Sequence, residues 1–198
     1  MPLARRSGST RYSTDRLHLM PIIRSLPLVD GALQPFSPVV GNDFVAYRNH
    51  VYRVLNFFMA MRADAAPPPD TAQIAAAFHD LGIWKNRTFD YLAPSIGLAA
   101  EFLADRSQVD RLREVTALIQ EHHKLRAYRG EFADTVEAFR RADWVDVSLG
   151  MLRFGLPSDY IRSVRQAFPN RGFHWRLVTL TARQFARTPL NPLPMMRW

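Results

Sequence analysis

From Asn42 onward, apolar residues recur at steps of three and four between short turn signals, without the alternation of a strand, which predicts an all-α domain. The first helix is expected from about Asp43 to Ala63, with Tyr47, His50, Val51, Val54, Phe58 and Met61 along one face, stopping before Pro67-Pro68-Pro69. Asp70 and Gln73 have the spacing of a capping box and open a helix carrying Ile74, Ala77, Phe78 and Leu81, which Gly82 ends. A loop holding Trp84, Lys85, Asn86 and Arg87 leads to Pro94, suited to the first turn of a helix through about Ala104. Ser107 with Asp110 marks the start of another, with Leu112, Val115, Ile119 and His122 on its inner side. After Gly130, Asp134 and Glu137 form a third box, and Val136, Phe139, Asp143 and Val147 define the inner face that follows. Further helices are expected near Ser158 to Phe168 and Gly172 to Arg187. The chain thus divides into a basic, proline-containing arm over 1–41, a helical domain over 42–187 and a Pro-rich tail over 188–198. Pro21, Pro27, Pro35 and Pro38 predict an irregular arm rather than regular helix.

At 198 residues the chain fits one domain with a continuous core, and 47% hydrophobic against 22% charged residues excludes a disordered tail. With no cysteine, disulfides, thiolate nucleophiles, zinc ribbons and iron–sulfur clusters are excluded, so any metal is held by His, Asp or Glu. No apolar stretch reaches the roughly 20 residues needed to span a bilayer. The start, Met1 to Thr14, is basic and Ser-rich but lacks the apolar segment of a secretory signal, so a cytoplasmic location is expected. The net charge of +8 favours anionic partners, although an arginine excess also follows from composition alone, and charge does not decide between the two.

The chemistry lies in the polar residues placed on inner faces. His50 is one turn from both Tyr47 and Val54, and Asp143 lies four residues from both Phe139 and Val147, where a lone carboxylate is costly to desolvate. His79 and Asp80 end their helix side by side, and His122 follows Val115 and Ile119 with His123 adjacent. Each has a plain structural explanation when taken alone: a hydrogen-bonded core histidine for His50, or an ion pair with Arg140 or Arg141 for Asp143. One divalent metal satisfies His50, His79, Asp80 and Asp143 together.

The order of these residues resembles the HD-domain metal-dependent phosphohydrolases: an isolated His50 in YRNHVYRV, the doublet His79-Asp80 in AAAFHDLG, His122-His123 in IQEHHKLR and a final Asp143 in RRADWVDV, over roughly Asp43 to Leu152. The resemblance implies a bundle-like all-α fold with a divalent transition metal (Mn, Fe, Co or Zn) bound by His50, His79, Asp80 and Asp143. The chain departs from dinuclear members in having no histidine between Leu81 and Gln120, which favours one ion. It also has Ile83 three residues after the doublet, where some single-metal nucleotidases carry glutamate, and its nearest lysine is Lys85.

Such a site supports hydrolysis of a small anionic phosphate ester, a nucleotide among the options, by metal-activated water. Asp80 would ligate the metal and orient the water, while His122 and His123 would bind phosphate, protonate the leaving oxygen or complete part of a second site. Lys124, Arg126 and Arg129, with Lys85 and Arg87 from another loop, would place positive charge against the phosphate. The alternatives are an HD-type metal oxygenase or a hydratase acting on a small molecule, and a non-catalytic basic protein binding nucleic acid. The last is not favoured, because no recognition motif or aromatic–basic repeat accompanies the charge.

Overall fold

The computed structural model describes residues 20–62, 67–86, 90–187 and 195–196. Among the described residues ten α-helices follow one another: α1 Pro27–Leu33, α2 Ser37–Val40, α3 Phe44–Arg62, α4 Asp70–Phe78, α5 Gly82–Lys85, α6 Leu92–Ala104, α7 Leu112–Glu121, α8 Ala133–Val147, α9 Ser158–Ala167 and α10 Phe173–Arg187. Single 3₁₀ turns precede α2, α3 and α7, and there is no strand among the described residues. The protein is all-α, as its periodicity predicts.

The axis of the bundle is α3, which buries side chains all round rather than on one stripe: Tyr52, Arg53, Leu55 and Asn56 are as inaccessible as Tyr47, His50, Val51 and Val54. A helix hydrophobic on every side has to be surrounded. Its main partner is α8, with α4 on another side, while α7 packs against α4, α6 and α8. The four segments bearing His50, His79-Asp80, His122-His123 and Asp143 therefore converge on the centre of the bundle.

The stretch from Pro27 to Val40, expected to be irregular, is mostly helical. Its prolines fall where a helix tolerates them: Pro27, Pro35 and Pro38 occupy the first or second position of α1, the next 3₁₀ turn and α2, where no intrahelical N–H bond is lost. This region is fastened to α3. Arg48 makes two bonds to the Asp30 carboxylate at 2.8 and 3.0 Å, the Leu26 N–H donates to the Tyr52 hydroxyl, and Asn56 bonds both the N–H and the carbonyl of Ile23. Residues 1–19, the basic start, lie outside the described residues, as do Arg87 and most of the Pro-rich tail.

None of the three expected capping boxes forms, and in two of them an arginine holds the acid instead. Asp70 takes Arg111 at 2.6 Å, Pro69 is the N-cap, and Gln73 turns back to the Pro68 carbonyl. Ser107 sits in the left-handed region, and α7 starts after a 3₁₀ turn with no side-chain cap. Glu137 receives Arg140, Arg141 and the Tyr128 N–H, and left-handed Phe132 precedes α8. Gly82 also differs from expectation: it opens α5 instead of ending α4 in a left-handed turn. A Cβ there would meet the Tyr91 carbonyl oxygen at 2.7 Å, so what fixes glycine at this position is close packing of the chain. No described helix is long and apolar enough to cross a membrane.

Candidate metal centre

His50 on α3, His79 and Asp80 after α4, His122 after α7 and Asp143 on α8 are all 2% exposed or less. Burying so many ionisable groups together is expensive unless their charges are matched. Their hydrogen bonds fix which ring nitrogens face inward. His79 Nδ1 donates to the Ala76 carbonyl at 2.8 Å, and His122 Nδ1 to the Ile119 carbonyl at 2.6 Å. His50 Nδ1 lies 2.7 Å from Asp146 Oδ2. Each of these three imidazoles thus uses Nδ1 on a neighbouring acceptor and presents Nε2 to the interior, the arrangement that orients histidines toward a metal.

The inward atoms are closely spaced. His50 Nε2 is 2.9 Å from His79 Nε2; Asp80 Oδ2 is 3.6 and 3.4 Å from these two nitrogens, and Asp143 Oδ1 is 3.6 and 3.9 Å from them. Ligands bound about 2.0–2.2 Å from one small divalent ion stand roughly 3–3.5 Å from each other. His50, His79 and Asp80 come near that spacing, with Asp143 somewhat farther out. Asp80 Oδ1 turns the other way, 3.5 Å from His122 Nε2, and Asp80, His122 and His123 form a second group whose ligand atoms lie within 4.8 Å of one another. Asp80 Oδ1, His122 Nε2 and both carboxylate oxygens of Asp143 are buried without any hydrogen-bond partner. Orphaned donor atoms of this kind, all nitrogen and oxygen, fit a divalent transition metal.

The electrostatics reflect the crowding. Burial pushes His79 down to about 3, so its ring is neutral at ordinary pH. Burial pushes the Asp143 carboxyl up to about 7 against the pull of His122 and His50. For Asp80, burial acts in the same direction but is outweighed by His79, His122 and His50, and the group is held well below the usual carboxylate range. His122 is raised, since Asp80 and Asp143 overcome its desolvation, whereas burial drives His123 well down.

Asp143 does not pair with Arg140 or Arg141, because both arginines are taken by Glu137. Its neighbours are the histidines, including His123, whose Nδ1 lies 3.3 Å from Asp143 Oδ2. The His123 side chain retains 11% exposure and so lies at the edge of the group nearest to solvent. Among the basic residues expected near phosphate, Lys85, Arg126 and Arg129 are exposed, and Lys124 Nζ is 3.5 Å from Glu121. The backbone carbonyl of Lys124 accepts bonds from Arg140 and Trp144, which anchors the loop after His123 to α8.

Three further residues complete the site. Asp146 bonds His50 and is clamped by Arg53 through Nε at 2.6 Å and Nη2 at 2.8 Å, with Arg53 Nη1 reaching the Phe168 carbonyl. Despite burial, Arg53 and His50 hold Asp146 far below the usual carboxylate range. Tyr91, 1% exposed, places its hydroxyl 2.6 Å from His123 Nε2. The signal for Asp146 was present in the sequence, three residues beyond Asp143 and seven beyond Phe139, on the same helical face. Arg53 and Tyr91 carried none: the first sits on a helix buried all round, the second in the turn ahead of α6.

No curated protein and no solved structure matches the chain. The HD domain family matches residues 47–148, just over half of its length and the span from Tyr47 to the end of α8 that contains every residue of the buried group. By that match, and with the ordered histidines and aspartates gathered at one point of a helical bundle, the chain belongs to the HD domain family.

Proposed function

We propose that the protein is a metal-dependent phosphohydrolase acting on a small phosphate ester, with one divalent transition metal held by His50, His79, Asp80 and Asp143. The observation carrying this reading is the set of inward Nε2 and carboxylate atoms at ligand spacing, several with no hydrogen-bond partner. A divalent ion bound there supplies a Lewis acid that lowers the pKa of water and neutralises charge developing on a phosphoryl oxygen.

The protein's own residues have distinct tasks. Asp146 and the Ala76 carbonyl hold the rings of His50 and His79 through Nδ1, so that their Nε2 atoms stay aimed at the ion. Asp80 reaches the His50/His79 pair with one oxygen and faces His122 with the other, which places it to hold the attacking water. Tyr91 bonds His123 Nε2 and so steadies the ring whose Nδ1 lies 3.3 Å from Asp143 Oδ2. His123, at the solvent edge, and His122 are placed to meet the phosphate or the leaving oxygen. Lys124, Arg126 and Arg129 follow them in the chain and supply cations to an incoming anion.

The test is to load the purified protein with Mn, Co, Fe or Zn, measure the bound metal, and assay phosphomonoesters, phosphodiesters and nucleotides. Metal retention with turnover that Asp143→Asn abolishes supports the reading. A protein that retains no metal and hydrolyses none of these esters does not have this function.

A further inference from the structure

We infer that the protein carries a second anion site, separate from the metal centre: a groove between the α8–α9 turn and α9 that takes a small phosphate monoester with an apolar substituent. The groove measures about 370 Å³ and is lined by Leu149, Gly150, Arg153, Ile161, Arg162 and Arg165, with Ser158 and Gln166 at its borders. That volume suits a small ligand. Three of its side chains are guanidiniums, and no acid lines it.

The sequence sets this region apart. After Asp159 there is no acidic residue to the end of the chain, while seven arginines occur; the preceding residues hold 19 Lys and Arg against 18 Asp and Glu. Most of the positive excess therefore lies after Asp159, in the segment that supplies Arg162 and Arg165 to the groove.

The arginines are underused. Arg162 meets Asp159 at 3.2 Å on an exposed surface, where such a pair contributes little. Arg153 is exposed. Arg165 is drawn toward the buried Asp146, yet at 3.9 Å the contact is too long for a hydrogen bond, and its Nη1 is buried with no acceptor. Arginines in this condition are suited to bidentate bonds with a phosphate. Ser158, the first residue of the ten-residue α9, brings the positive end of that helix to the rim.

The apolar half comes from the turn. The Leu149 N–H bonds Asp146 and the Gly150 N–H bonds Val145, closing α8 with both residues in the left-handed region at φ 58 and 85. Leucine at such a position costs about 1 kcal/mol relative to the glycine that favours it, and its side chain stays half-exposed beside Ile161. A ligand with an apolar group next to its phosphate covers both.

The test uses phenyl phosphate and inorganic phosphate as probes, followed by calorimetry and ³¹P NMR on the full chain. With the metal centre removed by Asp143→Asn, so that only the groove can bind, phenyl phosphate should still bind, and should bind at least tenfold more weakly when R153Q/R162Q, whose substitutions are exposed and leave the core untouched, is added to that variant. Inorganic phosphate should bind more weakly than phenyl phosphate. Binding to Asp143→Asn that survives the added R153Q/R162Q, or an absence of binding to Asp143→Asn, overturns the site; equal affinity of Asp143→Asn for the two probes overturns its apolar half. Co-sedimentation with phosphatidic acid vesicles, lost in R153Q/R162Q, would assign the monoester to a lipid headgroup, and its absence alongside phenyl phosphate binding to a free ester. Because Asp143→Asn removes the metal centre and leaves the groove, failure here is distinguishable from failure of the phosphohydrolase reading.

Discussion

His50 and His79 face each other Nε2 to Nε2 at 2.9 Å, a separation at which a shared hydrogen bond or a bound metal has to offset the repulsion of two lone pairs. His79 is pushed down to about 3 and its Nδ1 is committed to a carbonyl, so its Nε2 presents a lone pair to the interior. Metal binding relieves this and satisfies the orphaned oxygens of Asp143 as well. Adding Mn or Co to chelator-treated protein should raise the unfolding midpoint, with stabilisation of about 2.7 kcal/mol at a hundred times the dissociation constant. Thermal scans should show the shift, and His79→Ala should lose it.

Asp146 supports the centre from behind, through His50 on one side and Arg53 on the other. Asp146→Asn should weaken metal binding about 10- to 100-fold, the usual effect of losing an orienting partner. It also leaves Arg53 buried opposite a neutral amide, which should cost about 3–5 kcal/mol of stability. Urea unfolding and metal titration together check this: a variant with full metal affinity would show that Asp146 serves the fold only.

Metal affinity should depend on pH through Asp143. Its carboxyl is raised to about 7 in the metal-free protein, so below that pH a proton must leave before the group can ligate. His122, also raised, acts in the same sense, while His79 at about 3 does not compete. Affinity should therefore fall about tenfold or more per pH unit below 7 and level off above it, as isothermal titration at pH 6 and pH 8 would show.

The helical order and the meeting of His50, His79, Asp80 and Asp143 were legible in the sequence, because periodicity reports which side of a helix is buried. What was not legible depended on competition between partners. Glu137 and Asp70 have capping-box spacing, but arginines took both: Arg140 and Arg141, one turn along the same helix, hold Glu137, and Arg111, brought close by the tertiary fold, holds Asp70. Pro27, Pro35 and Pro38 suggested an irregular arm because one proline reads equally as a breaker and as a first-turn residue, and only packing against α3 decided between them. Tyr91 enters the site from a turn without periodicity, so no local pattern could reveal it.

Glu137 gives a second, independent pH effect. Burial alone would raise its carboxyl, yet Arg140, the Tyr128 N–H and Arg141 outweigh burial and hold it at about 2, below the usual 4.5. Between these values the unfolded chain binds more protons than the folded one, so stability is fully present above about pH 4.5 and is lost as pH falls toward 2. Urea midpoints at pH 6 and pH 3 should differ less in Glu137→Gln than in the unsubstituted protein, and an equal difference would show that other carboxylates carry the acid sensitivity.

Gly82 couples this packing to the chemistry. It lies two residues beyond Asp80, donates its N–H to Ser95 Oγ at 3.0 Å, and leaves no room for a Cβ between the Tyr91 carbonyl oxygen at 2.7 Å and Pro94 at 3.0 Å. Tyr91 is backbone-limited here and cannot swing aside as a flexible side chain would. Gly82→Ala should cost about 1–3 kcal/mol, the range for forcing an extra carbon into a packed interior, and should displace the Tyr91 hydroxyl from His123 without removing any of the four metal ligands. The expected result is a lower unfolding midpoint and reduced turnover with bound metal retained. Tyr91→Phe should reproduce the loss of turnover while the backbone stays in place. If Gly82→Ala loses turnover and Tyr91→Phe does not, the defect lies in the geometry of Asp80 and not in the tyrosine.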